Sequence, residues 1–372
     1  MMNDYWWEIK PETLPDTPFL AVYLNPVKHN IELLIDLIDG DTQRLRPHIK
    51  THKCGEILNL YKSYGINKVK CATIAEAELS AIFGIKDILL AYQPTGGKRQ
   101  RWIDLILKYP DAAFSVIVDD LQVAQQLSDL AVINGLKLTV YLDLNTGMNR
   151  TGVDINADWA LMAVLISRMP NLNLAGLHIY DGHIKGLVEQ RKQLVEESLA
   201  KVMNQLANIE NQLEYKLKIV AGGSNTFPIY ANCKDVECSP GTFVFWDVNY
   251  QTNLPEQPFE TAALLVGSII SKPTPGTLCV DLGYKSVAAE NPLDKRLVIL
   301  NDKELVPIAH SEEHLVLENR GTRDYLIGEK VYAIPYHVCP TCALYDDMQI
   351  IDDQHEIVDS WAITARKRKI NI

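Results

Sequence analysis

The chain has no apolar run long enough to span a membrane as a helix. The nearest approach, residues 261–270, falls well short of the roughly 20 residues that such a helix requires. Residues 1–10 carry acidic and aromatic side chains instead of an apolar segment, so we expect no secretory signal peptide. The seven cysteines follow no regular spacing, which favours reduced thiols in the cytoplasm over a secreted disulfide scaffold.

Basic residues are fewer than acidic ones, 36 against 47. The 372 residues carry a formal net charge of −11, so we expect no nucleic-acid partner. Hydrophobic residues make up 47% of the sequence and aromatic residues 8%, which is enough for a sizeable globular core. On a prior of about 150 residues per domain, the length predicts two domains.

From residue 19 to residue 245, short β-branched or apolar runs alternate with longer helical patterns. The predicted strands are residues 20–24, 45–49, 68–72, 87–92, 113–118, 137–144, 172–180 and 217–221. Strands that alternate with helices form parallel βαβ units, and this number of units over about 220 residues predicts a (β/α)₈ TIM barrel. A doubly wound open sheet is the alternative, but no strand is followed by the Gly-x-Gly-x-x-Gly turn typical of it.

The pattern changes after Pro240. Helical periodicity fades, and short strand-like runs are separated by Pro, Gly, Asn and Asp. We therefore predict a second, mostly β domain over residues 246–372. Residues 1–18 are polar and aromatic and contain proline, which is typical of an arm rather than of a complete element.

The densest basic cluster is the segment Arg46-Pro-His-Ile-Lys-Thr-His-Lys53. Apolar and basic side chains alternate from Leu45 to Lys50, as in a strand with one polar face. Such a face is costly to bury unless it lines a site, although a surface loop is the alternative. A lysine in a partly desolvated, cation-rich pocket has a lowered pKa and can attack a carbonyl carbon, so Lys50 is the first candidate for catalysis.

In a TIM barrel the chemistry lies at the carboxyl ends of the strands. Four predicted strands run into polar segments there, at residues 50–52, 143–152, 178–183 and 222–226, and the last three segments also contain glycine. In the last segment, two glycines let the backbone approach a ligand, and Ser224 and Asn225 add donors, which suits a phosphate. The turn that holds Gly241 and Thr242 would close this site, whereas an ordinary glycine turn is the alternative.

A reactive lysine and a phosphate site on one barrel rim indicate a phosphorylated aldehyde held as a Schiff base. Pyridoxal phosphate (PLP) is the obvious one. Arg150 is then a candidate to contact the ring oxygen of the cofactor or a substrate carboxylate. Tyr180 is a candidate to stack on the ring, and a barrel-interior aromatic is the alternative for this residue.

The predicted β domain contains the segment Tyr336-His-Val-Cys-Pro-Thr-Cys342. On an extended segment, His337 and Cys339 face the same way and can share one ion. Imidazole with thiolate favours Zn²⁺, and two protein ligands leave positions for water and substrate. A redox or structural zinc Cys-x-x-Cys motif of Cys339 and Cys342 is the alternative, but no second such motif completes a four-sulfur site.

Together these motifs resemble the D-threonine aldolase and D-serine dehydratase group of fold-type III PLP enzymes, of which alanine racemase is a distant relative. The motifs that carry the resemblance, in matching order along nearly the whole chain, are residues 46–53, 147–152, 180–183, 222–226, 239–242 and 337–341. The resemblance implies a barrel plus a β domain that the N-terminal arm joins. It also implies a head-to-tail homodimer with sites at the subunit interface.

The resemblance assigns roles by position. Lys50 is the Schiff-base lysine, Arg150 lies near the phenolic oxygen of the cofactor, and Tyr180 lies against its ring. The phosphate residues are Ser224, Asn225, Gly241 and Thr242, and the metal pair is His337 with Cys339, for Zn²⁺ or alternatively Mn²⁺. Two features depart from relatives: position 239 is Ser where alanine racemase has an arginine, and the metal pair is His/Cys rather than the His/Asp of D-threonine aldolases.

The activity implied is that of a PLP- and metal-dependent lyase for 3-hydroxy-D-amino acids. Removal of the α-proton by Lys50 with loss of the hydroxyl makes it a dehydratase. Deprotonation of the hydroxyl, by His183 or by a water on the metal, makes it an aldolase. An amino-acid racemase, which has no use for a metal, and a non-catalytic PLP carrier, typically shorter and without a β domain, are the alternatives.

Overall fold

The computed structural model describes residues 5–10 and 14–372, which form two compact units. The β unit comprises the described residues up to Leu33 together with Thr51–Glu56 and Thr242–Arg366. The barrel unit comprises Leu34–Lys50, Ile57–Gly241 and Lys367–Ile372. Among the described residues, no helix is long and apolar enough to cross a membrane.

The elements follow one another in a βα pattern first and a β pattern later. The strands are β1 (Phe19–Tyr23), β2 (Lys68–Cys71), β3 (Asp87–Leu90), β4 (Ala113–Val118), β5 (Leu138–Asn145), β6 (Val153–Asp154), β7 (Leu172–Ile179), β8 (Lys218–Ala221), β9 (Val236–Cys238), β10 (Ala263–Ser271), β11 (Thr277–Val280), β12 (Leu297–Ile299), β13 (Leu305–His310), β14 (Leu315–Asn319), β15 (Lys330–Pro335), β16 (Asp347–Ile351) and β17 (Ile357–Ala362). The α-helices are α1 (Leu24–Asp36), α2 (Gly55–Ser63), α3 (Ile74–Ile82), α4 (Gly97–Lys108), α5 (Leu121–Ile133), α6 (Trp159–Ser167), α7 (Val188–Leu213), α8 (Phe227–Ala231), α9 (Val248–Asn253) and α10 (Val338–Cys342).

The barrel unit is built on a curled parallel sheet in the order β2-β3-β4-β5-β7-β8-β9. The backbone of residues 45–49 lies between its two outer strands. Leu45 pairs with Cys238 of β9, and His48 pairs with Lys70 of β2. Because both pairings are parallel, this segment supplies the remaining barrel strand, as predicted, and the predicted TIM barrel with a second β domain is confirmed.

The strand predicted at residues 20–24 does not belong to the barrel. It is β1, which pairs antiparallel with β10 and parallel with β16 in the β unit. All five of its residues are buried, and a continuous apolar run of this length fits a buried strand of either sheet equally well. Its place in the barrel count is taken by β9, a Val-Glu-Cys strand too short to show any periodicity.

The interior of the barrel unit contains a buried ion network and an apolar layer. Arg46 donates two hydrogen bonds to Asp87, at 2.8 and 2.9 Å, and one to Glu237 at 2.8 Å. Glu237 also accepts from Lys68 at 2.8 Å. The apolar layer consists of Leu89, Ile117, Tyr141 and Val220. Lys50 lies in the turn that directly follows the segment that carries Arg46.

The β unit is a mixed sheet in the order β13-β14-β11-β10-β1-β16-β17, with β15 and β12 added beside β10. Two residues of the predicted arm, Trp7 and Ile9, pack in its core against β1 and β15. Lys10 N donates to His355 O at 2.9 Å. The described part of the arm therefore joins the β unit, and residues 1–4 and 11–13 lie outside the described residues.

The predicted domain limits of 19–245 and 246–372 differ in detail from the two units. Strand β1 and residues 242–245 lie in the β unit, and Lys367–Ile372 lie in the barrel unit. The limits themselves stay a prediction.

Candidate active site

Three cations converge on the ring of Tyr180, which directly follows β7. Lys50 Nζ lies 5.7 Å and Lys70 Nζ 5.8 Å from the ring centroid. Arg150 Cζ, from the loop between β5 and β6, lies 4.7 Å from it. Distances of this size allow cation–π attraction. The structure thus brings together the predicted residues Lys50, Arg150 and Tyr180.

The turn after β8 approaches the same tyrosine. Gly222 has a φ of +80°, which favours glycine. A Cβ on Gly223 would lie 3.1 Å from Tyr180 Cε2, so this close approach also favours a glycine. Gly241 N donates to the buried Ser224 Oγ at 3.4 Å, which joins two of the predicted phosphate residues. A turn of small residues with backbone N–H groups and a hydroxyl fits a phosphate.

Asn225 holds a loop with its side chain. Its Nδ2 donates to Asp181 O at 3.1 Å and to Ile184 O at 2.8 Å. Thr226 Oγ1 donates to Asp181 Oδ1 at 2.7 Å. Burial raises the pKa of Asp181. The side chain of Asn225 therefore orders the segment after Tyr180, and its predicted contact with a phosphate stays a prediction.

His183 lies on that same segment and is exposed. Its ring packs on Gly147 of the loop that carries Arg150, because a Cβ at Gly147 would lie 2.7 Å from His183 Nε2. The candidate base is thus held beside the arginine loop.

The predicted metal pair lies in the β unit, where His337 caps the start of helix α10 and Cys339 lies within it. The prediction of an extended segment is therefore wrong, although the two side chains do share a hydrogen bond. His337 Nδ1 lies 2.6 Å from Glu290 Oε1. Burial lowers the pKa of His337, but Cys339 and then Glu290 outweigh burial and raise it to about 9.

Hydroxyl groups flank the Cys339 sulfur. Thr51 Oγ1 lies 3.1 Å and Thr242 Oγ1 3.5 Å from Cys339 Sγ. The Thr242 hydroxyl thus lies beside Cys339 of the predicted metal pair. The predicted contact of Thr242 with a phosphate stays a prediction. Cys342 is buried, and burial raises its pKa well above the ordinary value, which disfavours a redox Cys-x-x-Cys motif.

The donor set fits a divalent ion with open positions. A carboxylate on Nδ1 of a histidine fixes the ring so that Nε2 is presented to a metal. Imidazole with thiolate suits Zn²⁺. The described residues contain no group of three or more His, Cys, Asp and Glu side chains that would hold an ion by themselves. Among the described residues, His337 and Cys339 are thus the two candidate ligands, and the metal site itself stays a prediction.

Lys70, which the sequence analysis did not single out, lies with Asp143 and His178, the first residues of two polar segments named there, and all three are buried. Lys70 Nζ lies 3.5 Å from His178 Nε2, and His178 Nδ1 lies 2.7 Å from Asp143 Oδ1. Burial, with the charge of Lys50, lowers the pKa of Lys70 to about 7. The alternation Lys68-Val-Lys70 in a predicted strand was the signal, because it places a second lysine on the face of Lys68.

Comparison with known proteins matches both units. Residues 22–247 match the family model described as the alanine racemase N-terminal domain, and residues 262–351 match the putative serine dehydratase domain. A D-threonine aldolase from Arthrobacter sp is 27% identical, with 94% of this chain and 93% of that protein covered. A 3-hydroxy-D-aspartate aldolase from Paracoccus denitrificans (strain Pd 1222) is 26% identical, with 94% and 92% covered.

A solved structure has the same fold. The crystal structure of D-threonine aldolase from Filomicrobium marinum superposes with a TM-score of 0.86 at 26% identity. The match covers 94% of this chain and 95% of that one.

Proposed function

Because the chain belongs to the alanine racemase-like family of the D-threonine aldolases and D-serine dehydratases, we propose that it is a lyase for 3-hydroxy-D-amino acids. It uses pyridoxal 5′-phosphate on the barrel unit and a divalent metal, Zn²⁺ or alternatively Mn²⁺, on the β unit. The observation that carries this proposal is the convergence of Lys50 and Arg150 on the Tyr180 ring.

The residues around Tyr180 support a Schiff-base site. When bound, PLP supplies an electron sink for negative charge that develops at the substrate Cα. Lys50 Nζ would hold it through its aldehyde carbon and would move the proton at the substrate Cα. Arg150 would contact its phenolic oxygen, and Tyr180 would pack against its ring. Ser224, Asn225, Gly241 and Thr242 would hold its phosphate.

The pair of His337 and Cys339 in the β unit favours a lyase for 3-hydroxy substrates over an amino-acid racemase. His337 Nε2 and Cys339 Sγ would hold a metal, which supplies a Lewis acid for a hydroxyl oxygen. Glu290 fixes the His337 ring for this task. His183 takes up the hydroxyl proton when the Cα–Cβ bond breaks, and Lys50 takes up the α-proton when the hydroxyl leaves.

The activity test separates the two outcomes. The full chain, supplied with pyridoxal 5′-phosphate and Zn²⁺ or Mn²⁺, is given D-serine and D-threonine. Pyruvate or 2-oxobutanoate indicates a dehydratase, whereas glycine with acetaldehyde indicates an aldolase. A chelator should abolish either product. Failure to form any of these products from either substrate, or racemisation that survives the chelator, would contradict the proposal.

We further propose that the enzyme is a cytoplasmic homodimer with its sites at the subunit interface. The observation that supports this is the two-ligand metal site, which leaves room for groups from elsewhere. Light scattering should give twice the 41.9 kDa of one chain. A mass of one chain in the active fraction would rule the dimer out.

A further inference from the structure

The guanidinium of Arg150 lies over the ring of Tyr180 although the loop that carries it is largely exposed. Its Cζ is 4.7 Å from the ring centroid. The loop, residues 146–152, joins β5 to β6, and Arg150 itself is exposed. A long side chain on an exposed loop gives up much conformational freedom when it is fixed in one place. The backbone around Arg150 must therefore be held by specific contacts.

The first half of this loop is held by Asn145, the last residue of β5. Its Oδ1 accepts hydrogen bonds from Gly147 N and from Asn149 N, both at 3.0 Å. Asn149 has a φ of +53°, a left-handed conformation that asparagine tolerates. These contacts all lie between residues 145 and 149, so they fix the turn at the start of the loop and leave its far end to other partners.

The far end of the loop is held by a residue that follows the neighbouring strand. Gly152 N donates to Asp119 Oδ2 at 2.8 Å. Asp119 comes directly after β4, which pairs with β5. A hydrogen bond to a carboxylate is roughly twice as strong as one between neutral groups. This bond therefore ties the last residue of the Arg150 loop to the next strand end on the barrel rim.

Two further contacts fix the geometry of this bond. Asp119 N donates to Gln93 Oε1 at 2.7 Å, from the segment between β3 and α4, so the backbone that presents the carboxylate is itself held. A Cβ on Gly152 would lie 2.7 Å from Asn145 N, because the loop backbone runs directly against the end of β5. The ends of β3, β4 and β5 are thus joined in a row, and Arg150 lies two residues before the last of these contacts.

We propose that Asp119 is a positioning residue for Arg150. Its carboxylate holds the peptide bond between Thr151 and Gly152, and this fixes the direction from which the Arg150 side chain reaches the Tyr180 ring. In this role Asp119 acts through Arg150 and needs no contact with cofactor or substrate, and no covalent bond forms or breaks. The inference rests on the proposed function only where Arg150 is taken to contact the cofactor.

The variants separate this role from a general contribution to stability. Asp119→Ala removes the acceptor, whereas Asp119→Asn keeps an oxygen that can accept from Gly152 N. Asp120→Ala is the matched control, because Asp120 Oδ1 likewise accepts one backbone hydrogen bond, from Val123 N at 2.9 Å, at the start of α5. The two alanine variants therefore remove the same kind of acceptor from adjacent residues, and the acceptor on Asp119 is the one that holds the loop of Arg150.

The first measurement uses the full chain without cofactor and follows amide hydrogen exchange by mass spectrometry. Asp119→Ala should speed exchange of the Gly152 amide about tenfold, a factor that corresponds to about 1.4 kcal/mol. Asp119→Asn should stay within about threefold of the wild type, because a neutral acceptor retains part of the bond. Asp120→Ala should speed exchange at Val123 and leave Gly152 unchanged. Unchanged exchange at Gly152 in Asp119→Ala would overturn the proposal.

The second measurement asks whether Asp119 acts through Arg150. Affinity for pyridoxal 5′-phosphate is measured by absorbance titration in the wild type, in Asp119→Ala, in Arg150→Met and in the double variant. Asp119→Ala should weaken binding about fivefold in the wild-type background and less than about twofold in the Arg150→Met background, because the effects of coupled residues do not add. Asp120→Ala should bind as the wild type does. An equal loss in both backgrounds would refute the positioning role.

A third measurement keeps the role of Asp119 separate from the proposed function. Reaction of Arg150 with phenylglyoxal, mapped on peptides of the chain without cofactor, should rise about threefold in Asp119→Ala, the effect of losing an exposed cation–π contact. It should not rise in Asp120→Ala, and an equal rise in both would contradict the proposal. Gln93→Ala, which removes the acceptor of Asp119 N, should act in the same direction and replaces Asp119→Ala if that variant does not fold. A chain that shows these changes but binds no pyridoxal 5′-phosphate would contradict only the proposed function.

Discussion

Arg46→Met should destabilise the barrel unit by about 3 kcal/mol. The side chain of Arg46 is fully buried and makes three hydrogen bonds to carboxylates of Asp87 and Glu237. Removal of one partner from a buried ion pair costs about 3–5 kcal/mol. Glu237 keeps its contact with Lys68, and the Asp87 side chain is 30% exposed, so water and Lys68 compensate in part. The expected loss therefore lies at the lower end of that range.

The pH dependence of this loss follows from Asp87. Burial raises the pKa of Asp87, but the hydrogen bonds and charge of Arg46 outweigh it and lower the pKa below the usual 3.8. A carboxyl whose folded pKa lies below its unfolded pKa stabilises the fold above the unfolded value, and this stabilisation is lost as the pH falls through the folded value. The difference between wild type and Arg46→Met should therefore be full at neutral pH and shrink in acid, below the unfolded pKa of Asp87.

The assay is thermal unfolding at pH about 7 and about 3. For a unit of this size, a loss of about 3 kcal/mol lowers the melting temperature by roughly 6–12 °C. Lys68→Met is the control, since Arg46 still pairs Glu237. It removes two hydrogen bonds of Lys68 Nζ, to Gln43 O and to Glu237, which water replaces in part, and it should cost about 1 kcal/mol. Equal losses for the two variants, or a loss for Arg46→Met that does not shrink in acid, would refute the reasoning.

Two further predictions concern the cofactor and the metal. Gly223→Ala places a Cβ 3.1 Å from Tyr180 Cε2 and should weaken binding of pyridoxal 5′-phosphate about tenfold, about 1.4 kcal/mol, in an absorbance titration. Gly97→Ala, where nothing lies within 4 Å, should leave binding unchanged, and equal behaviour of the two variants would contradict the prediction. Loss of a residue that only hydrogen-bonds a metal ligand lowers metal affinity roughly 10–100-fold. Cys339→Ala removes a ligand itself and should lower Zn²⁺ affinity by more than this, as measured by calorimetry. Cys342→Ala should retain it, because that thiol is buried, and loss of affinity in Cys342→Ala alone would place the ion elsewhere.

The rim of the barrel could be predicted from the sequence because parallel strands deliver their carboxyl ends to one side. Lys50, Arg150 and Tyr180 each follow a strand pattern, so their convergence required only the alternation of strands and helices. The identity of the strands was harder. The fully buried β1 was predicted in the barrel but lies in the β unit, and the three-residue β9 was not predicted at all, because neither shows a period that identifies its sheet.

The structure brings the two residues of the predicted metal pair together, but in a conformation that the sequence did not predict. An extended segment would place His337 and Cys339 on one face, but the chain turns into α10 at His337. Asp247 Oδ2 accepts from Val338 N at 3.0 Å and thereby supports the start of that helix. Asp247 is 91 residues earlier in the chain, so no local pattern around the pair could indicate this cap.

Lys68 and Lys70 show why burial and charge could not be predicted from one strand. They lie two positions apart on the same face of β2, and nothing in the sequence predicts a different partner for each. The structure pairs Lys68 with the Glu237 carboxylate at 2.8 Å, whereas the partner of Lys70 is the neutral ring of His178 at 3.5 Å. Burial lowers the pKa of Lys70 to about 7, and the imidazole beside it adds no negative charge that would compensate. These partners come from strands 169 and 108 residues away, and the order in which strands meet around the barrel therefore decides which partner each lysine has.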